Sequence, residues 1–195
     1  MTESRSSNLN VPNVLTVIRI IMVPLLLMVL FWHPEDRGWR FIATGIFVIA
    51  MLTDLADGHI ARRYNLITDF GKLWDPIADK ALTGATFISL SLLGELPWYF
   101  TVLILVREWG ITWLRASISR YGIMAANRGG KLKTVTQTLA LILFLAWLPE
   151  LPGGIQLLAW LLMWAALILT LVTGVDYIRE AIRIRARGKE PRRSA

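Results

Sequence analysis

Residues 54–79 read DLADGHIARRYNLITDFGKLWDPIAD and lie between two long apolar runs. Of the five aspartates in this stretch, four form two closely spaced pairs, and Asp69 lies between the pairs. At about 100° per helical residue, Asp54 and Asp57 lie about 60° apart on one face, and Asp75 and Asp79 lie about 40° apart on another. A short loop between two antiparallel helices would bring both pairs to the same end. Four ionised carboxylates at the edge of a bilayer need positive charge beside them. This stretch therefore predicts two neighbouring helices that share a cation site.

The apolar runs have the length of membrane spans. The chain has 195 residues, 55% of them apolar, with a mean hydropathy of +0.52. A hydrocarbon core of about 30 Å takes about 20 apolar residues to cross, and six runs qualify. They are residues 12–32, 40–61, 75–95, 98–119, 132–149 and 155–178. We therefore predict an all-α integral membrane protein with six transmembrane helices, which forms a single domain over residues 1–195.

The basic residues predict the orientation of these spans. The formal net charge is +7, yet the connections WHPEDRGW, LGELPW and LPELPGG contain few basic residues, whereas the other connections and the C-terminal segment contain many. Lys and Arg accumulate in cytoplasmic loops. We therefore expect both termini and the acidic stretch to face the cytoplasm. Topology then explains the basic charge, and no nucleic-acid partner is expected.

The residue types of the acidic stretch restrict the cation. The chain has no Cys, which excludes thiolate metal sites and disulfides. A carboxylate site without His or Cys suits Mg²⁺ or Mn²⁺, and two such ions about 4 Å apart are a usual device for phosphoryl chemistry. The alternative is that each acid pairs with a nearby basic residue, such as Arg62 or Lys80. Ion pairs explain neither the grouping of the acids by helix face nor the glycines among them.

The spacing of the stretch resembles the signature of the CDP-alcohol phosphatidyltransferase family. Every fixed position matches, namely Asp54, Asp57, Gly58, Ala61, Arg62, Gly71, Asp75 and Asp79. The resemblance implies a six-helix membrane fold, usually a homodimer. It also implies an activity that displaces CMP from a CDP-linked lipid with the help of two divalent metal ions.

The same resemblance implies a role for each matching residue. Three aspartates would be the principal metal ligands: Asp54, Asp57 and Asp75. Asp79 would be the general base and a further contact to metal. The remaining matches would hold the cytidine diphosphate: Gly58, Ala61, Arg62 and Gly71. Residue chemistry agrees, because glycine lets a diphosphate approach the backbone and arginine suits its oxygens.

The acceptor alcohol has to be recognised elsewhere in the chain. Arg107 lies in an apolar span, where a buried arginine is a functional candidate, although Glu108 beside it offers the alternative of a structural ion pair. Lys131 and Lys133 follow two glycines, which fits a phosphate pocket and equally fits a basic cytoplasmic loop.

Three further segments, PNVLTVIR, the RE pair at 107–108 and GKLKT, resemble the branch of this family whose acceptor is glycerol 3-phosphate. An acceptor that carries a phosphate needs cations, and the candidates are Lys133, Arg107, Lys131 and Arg115. Asn13 and Thr16 are candidates on the nucleotide side.

The expected reaction is transfer of a phosphatidyl group from CDP-diacylglycerol to sn-glycerol 3-phosphate, with release of CMP. We expect it at the cytoplasmic face of a bacterial cell membrane. One alternative keeps this chemistry with inositol phosphate or phosphatidylglycerol as the acceptor. Another is a divalent-cation transporter, although the outer halves of the second and third spans offer such a pathway only hydroxyls.

Overall fold

The fold is built from helices throughout the residues that the structure describes. This computed structural model describes the backbone of residues 11–64, 69–118 and 128–187, and the side chains of residues 14–54, 77–78, 80–118 and 129–185. The helices are α1 (Val11–Trp32), α2 (Arg37–Tyr64), α3 (Asp69–Leu92), α4 (Trp98–Ile118), α5 (Arg128–Leu145) and α6 (Gly153–Arg187), with a 3-10 helix at Leu148–Glu150 before α6. The predicted all-α fold is confirmed, and each α-helix overlaps one predicted span.

Local signals explain where two of these helices start and stop. The carboxylate Oδ1 of Asp36 accepts a hydrogen bond from the backbone N–H of Trp39 at 3.0 Å, which caps the N-terminus of α2. Gly94 follows α3 with a φ of 76°, and its N–H donates to the carbonyl of Ser91 at 3.1 Å. Glycine is favoured there because a Cβ penalises left-handed backbone.

Helices α2 and α3 are longer than the spans predicted around the acidic stretch. Span 40–61 corresponds to a helix that ends only at Tyr64, and span 75–95 to a helix that already begins at Asp69. The span criterion counts apolar residues, whereas a helix continues wherever its backbone hydrogen bonds continue. All four aspartates of the signature therefore lie within helices.

The chain divides into two compact units. The first contains Met1–Leu96 and Ile142–Pro152. In it, α1 packs against both α2 and α3, and its core consists of large apolar side chains that are fully buried, including Leu26, Leu30, Phe47, Leu82 and Phe87. Burying such side chains stabilises the unit by about 1.5–3 kcal/mol each.

The first unit also contains a buried ion pair. Arg40 is fully buried, and its Nη2 donates both to a carboxylate oxygen of Glu95 and, at 3.2 Å, to the carbonyl oxygen of Phe144. Burial raises the pKa of the Glu95 carboxyl, while the charge and hydrogen bond of Arg40 act in the opposite direction. The pair joins the start of α2 to the connection after α3 and to the end of α5.

The second unit contains Pro97–Leu141 and Gly153–Ala195. In it, α4 packs against α6. The ring of Phe100 meets the ring of Trp164 edge-on, with centroids 4.9 Å apart, and Ile104 and Met163 are fully buried. The prediction of a single domain over the whole chain is not tested by this division and stays a prediction.

The outward side chains are apolar to an extent that is unusual for a water-soluble protein. Ile21, Ile49, Val106, Leu157 and Ile168 are all largely exposed. Within the described part of the chain, two helices are long and apolar enough to cross a membrane, over Val14–Trp32 and Gly153–Arg185. An all-helical chain with apolar outer faces is what a bilayer requires, because a helix satisfies its own backbone hydrogen bonds.

Candidate functional site

The acidic stretch is divided between two helices of the first unit. Asp54 and Asp57 lie in the last turns of α2, and Asp75 and Asp79 lie in the first turns of α3. The backbone is helical at all four aspartates, so the two members of each pair share a helix face as predicted. Whether the two pairs converge is not tested, because three of the four side chains lie outside those described.

Of the four signature aspartates, Asp54 is the one whose side chain the structure describes, and an arginine contacts it directly. Nη1 of Arg19 lies 2.8 Å from Oδ1 of Asp54, and the exposed fractions of the two side chains are 0% and 32%. Thr16, one turn before Arg19 on α1, is also fully buried. The sequence singled out Thr16 as a candidate for the nucleotide side and gave Arg19 no role. The structure places Arg19 against the first acid of the signature.

The remaining residues predicted to bind metal or nucleotide lie outside the described side chains. These are Asn13, Asp57, Gly58, Ala61, Arg62, Gly71, Asp75 and Asp79. Among the side chains that are described, no group of three His, Cys, Asp or Glu residues could hold a metal ion. The predicted metal site is therefore untested. The signature aspartate whose side chain is described, Asp54, forms an ion pair with Arg19, which is the kind of contact that the alternative to a metal site predicts.

The second unit brings together two of the four cations predicted for the acceptor phosphate. Oε1 of Glu108 accepts a hydrogen bond from Nη1 of Arg107 at 3.1 Å and another from Nζ of Lys133. Arg107 and Glu108 lie on α4, and Lys133 lies on α5. Buried Lys133 and partly buried Arg107 therefore both donate to one carboxylate oxygen, so the cluster provides a position for an anionic oxygen.

Helix α6 completes the surroundings of Arg107. Nη2 of Arg107 donates to Oγ1 of Thr173 at 2.7 Å, and the Thr173 hydroxyl donates to the carbonyl of Leu169 at 2.6 Å. The guanidinium carbon of Arg107 lies 5.5 Å from the ring centroid of Tyr177, and that of Arg115 lies 4.6 Å from the same centroid. Cation–π contacts of this kind favour a fixed guanidinium. Arg107 is therefore held on two sides.

Three glycines let the helices of this unit approach one another. A Cβ on Gly129 would lie 2.9 Å from Cγ2 of Thr173, one on Gly130 would lie 3.2 Å from Oη of Tyr177, and one on Gly174 would lie 3.3 Å from Cγ of Arg107. The sequence interpreted Gly129 and Gly130 as part of a phosphate pocket. The structure shows them packed against α6, so their first role here is close helix contact.

Lys131 is the candidate that the structure does not bring to this cluster. It is exposed on α5, and two helical residues separate it from Lys133 by about 200° around the helix axis. Arg115 is also exposed, but its guanidinium contacts the ring of Tyr177, which Arg107 also contacts.

Thr173 and Tyr177 are the members of the site that the sequence missed. They lie four residues apart on α6, so they share one face of that helix. Polar side chains at helical spacing around a glycine, inside an otherwise apolar run, were the signal that could have found them.

The sequence of this chain matches proteins of one family. The family model described as CDP-alcohol phosphatidyltransferase matches residues 9–172, which include the acidic stretch and the positions of Arg107 and Lys133. A protein of Mycobacterium tuberculosis strain H37Rv, named probable phosphatidylglycerophosphate synthase, is 47% identical over 175 residues, covering 89% of this chain and 82% of that protein.

Two more distant relatives have a more explicit name, CDP-diacylglycerol--glycerol-3-phosphate 3-phosphatidyltransferase. The one from Rickettsia typhi is 36% identical over 174 residues, covering 87% of this chain and 96% of that protein. The one from Bacillus subtilis strain 168 is 34% identical over 181 residues, covering 86% and 93%. All three matches extend over most of both chains.

Proposed function

Because this chain belongs to the CDP-alcohol phosphatidyltransferase family, we propose that it transfers the phosphatidyl group of CDP-diacylglycerol to sn-glycerol 3-phosphate. A bond forms between the 1-hydroxyl oxygen of the acceptor and the lipid phosphorus, and the bond from that phosphorus to CMP breaks. The products are phosphatidylglycerophosphate and CMP. The names of the relatives, which align over most of this chain, support this reaction.

The acidic residues of α2 and α3 supply the catalytic groups of this proposal. Asp54, Asp57 and Asp75 would hold two Mg²⁺ or Mn²⁺ ions, which would supply Lewis-acid polarisation of the diphosphate and positive charge beside the departing CMP. Asp79 takes the proton from the attacking hydroxyl and also contacts the metal site. In this proposal Arg19, whose Nη1 lies 2.8 Å from Oδ1 of Asp54, orients that carboxylate.

The lipid-linked nucleotide is held by residues of α1, α2 and α3. The proposed contacts are Asn13, Thr16, Gly58, Ala61, Arg62 and Gly71. Glycine allows the diphosphate to approach the backbone, and the guanidinium of Arg62 matches diphosphate oxygens.

The observation that carries the choice of acceptor is the convergence of Arg107 and Lys133 on one anionic oxygen. Their side chains are 11% and 7% exposed, and both donate to the same oxygen of Glu108. Two cations aimed at one point suit the anionic oxygen of a phosphate, which an uncharged alcohol does not offer. Arg115 adds charge beside them, and Lys131 contributes from the exposed side of α5.

We place the protein in the bacterial cell membrane as a homodimer of six-span chains, with both termini and the active site on the cytoplasmic side. The apolar outer faces and the two helices of spanning length support a membrane location. Helix α6 has 35 residues, about 52 Å at 1.5 Å per residue, so it exceeds a core of about 30 Å. Its last turns are basic, which suits an anionic membrane surface.

An acceptor competition tests the proposal. Purified protein in lipid nanodiscs receives CDP-diacylglycerol, Mg²⁺ and equal concentrations of labelled glycerol 3-phosphate, inositol phosphate and phosphatidylglycerol, and the labelled lipids are separated. We expect phosphatidylglycerophosphate as the main product, with one CMP released per lipid formed. Equal or better use of inositol phosphate or phosphatidylglycerol would overturn the acceptor. Mg²⁺ flux in proteoliposomes without any CMP release would instead favour a transporter.

A further inference from the structure

Glu108 occupies the point at which the side chains of Arg107, partly buried, and Lys133, buried, meet. The three groups are contributed by α4 and α5, and the carboxylate oxygen Oε1 accepts from both Arg107 and Lys133. Two adjacent cations this far removed from water, without an anion between them, would repel each other and would be poorly solvated. A negative charge at this point is therefore needed whether or not substrate is present.

We propose that Glu108 is the internal counter-ion of the acceptor-phosphate site and that the phosphate of the acceptor displaces it. This inference rests on the proposed function, because it takes Arg107 and Lys133 as the groups that bind the acceptor phosphate. A carboxylate and a phosphate both offer anionic oxygens to the same donors. Glu108 holds the oxygen position in the free protein, and the phosphate takes it in the complex.

The surroundings of the three side chains allow this exchange. The Glu108 side chain is 20% exposed, against 11% for Arg107 and 7% for Lys133, so the carboxylate is the member that most easily turns toward solvent. Arg107 remains in place when Glu108 leaves, because its Nη2 is held by Thr173 and its guanidinium lies over Tyr177. The position of this arginine is thus fixed independently of the carboxylate.

Glu108 consequently selects by charge. A phosphate monoester carries about −1.5 to −2 at neutral pH, whereas a carboxylate or a phosphate diester carries a single negative charge. When a phosphate diester displaces the Glu108 carboxylate, one single negative charge replaces another. The electrostatic attraction to Arg107 and Lys133 therefore does not increase. Displacement by a monoester increases the negative charge between the cations. Glu108 is therefore a specificity-determining residue that favours phosphate monoesters over diesters and uncharged alcohols.

Substitution of Glu108 by Gln tests the displacement. Without a resident charge to expel, Glu108→Gln binds inorganic phosphate roughly 10-fold more tightly than wild type, as measured by calorimetry on the protein in nanodiscs. In the same variant, the ratio of the affinities for methyl phosphate and dimethyl phosphate decreases. Competition of each ester with inorganic phosphate in the calorimeter measures this ratio. Unchanged or weaker phosphate binding would show that Glu108 positions Lys133 rather than competing with substrate, and would overturn the proposal.

Two further variants keep the test decisive. Glu180→Gln makes the same change of charge at an exposed position on α6 and should leave phosphate binding near wild type. Equal tightening in that variant would reduce the effect to general electrostatics and refute the role of Glu108. Glu108→Asp keeps the charge and shortens the side chain, so phosphate binds moderately more tightly. If Glu108→Gln does not fold, Glu108→Asp decides alone, and binding equal to or weaker than wild type rejects the proposal.

The binding measurement separates this inference from the proposed function. It uses inorganic phosphate without CDP-diacylglycerol, so it does not depend on catalysis. Tighter binding in Glu108→Gln together with no CMP release from any acceptor would support the counter-ion and refute the proposed reaction. CMP release with glycerol 3-phosphate, together with weaker phosphate binding in Glu108→Gln, would support the proposed reaction and refute the counter-ion role of Glu108.

Discussion

The guanidinium of Arg19 on α1 forms an ion pair with the carboxylate of Asp54 on α2, with 2.8 Å between Nη1 and Oδ1. The arginine is fully buried, so its charge is directed at the acid and shielded from water. A residue that forms a hydrogen bond or ion pair with a metal ligand orients that ligand, and so it influences metal binding without contacting the ion.

Replacement of Arg19 by Gln should weaken metal binding. The carboxylate of Asp54 loses the group that orients it, and loss of such a partner typically costs roughly 10- to 100-fold in metal affinity. Mn²⁺ binding followed by electron paramagnetic resonance measures this without reference to activity. Arg37→Gln, an exposed position at the start of α2, is the matched control. Equal Mn²⁺ affinity in Arg19→Gln and wild type would contradict the positioning role.

Replacement of Asp79 by Asn should abolish turnover while CDP-diacylglycerol still binds. Loss of a general base typically costs roughly 10²- to 10⁴-fold in rate. CMP release measures the first effect, and binding of the CDP-lipid to the purified variant measures the second. Near-normal rates would refute the assignment of the base.

The two lysines of α5 should differ in their effect on the acceptor. Lys133 is buried against Glu108, whereas Lys131 is exposed on another face of the helix. Lys133→Gln removes a charge-assisted contact and should raise KM for glycerol 3-phosphate roughly 10- to 100-fold, with a smaller effect of Lys131→Gln. Steady-state kinetics at saturating CDP-diacylglycerol provide the comparison. A larger increase of KM in Lys131→Gln than in Lys133→Gln would show that the acceptor phosphate binds on the exposed face of α5.

Substitution of Gly129 by Ala should disturb the contact between α5 and α6. The added Cβ would lie 2.9 Å from Cγ2 of Thr173, so either this side chain or the helices must shift, at a cost of about 1–3 kcal/mol. A Cβ added to Gly110 on α4 would have no such neighbour within 4 Å, so Gly110→Ala is the control. That control should unfold at the same temperature or slightly higher, since alanine favours helix by up to about 1 kcal/mol. Thermal unfolding in detergent, followed by Trp fluorescence, compares the two.

The pair of Arg40 and Glu95 predicts a pH dependence of stability. Burial raises the pKa of Glu95, so just above its ordinary value of 4.5 the folded chain binds more protons at this group than the unfolded chain. The contribution of Glu95 to stability therefore falls as pH rises through that window. Glu95→Gln cannot titrate, so wild type should lose stability relative to this variant as the pH rises from 4.5 toward neutrality. A difference in unfolding temperature that grows in favour of wild type with rising pH would contradict the direction of the shift.

Local patterns in the sequence were sufficient to predict the positions of the helices and to identify the family. Apolar runs predicted the six α-helices of the described residues, because the length of a span and the period of a helix depend only on neighbouring residues. The helical period alone was enough to predict that Asp54 shares a helix face with Asp57, and Asp75 with Asp79. The signature of the acidic stretch also identified the family to which the chain belongs.

Tertiary structure decided which distant residues meet. Arg107 and Lys133 come from different helices and share Glu108, while Lys131, two residues from Lys133, does not join them. Thr173 and Tyr177 of α6 hold Arg107, and Arg19 of α1 meets Asp54 of α2. Helical periodicity fixes which residues of one helix share a face. The rotation and packing of each helix against its neighbours fix which faces touch, and those follow from the side-chain contacts of the whole fold.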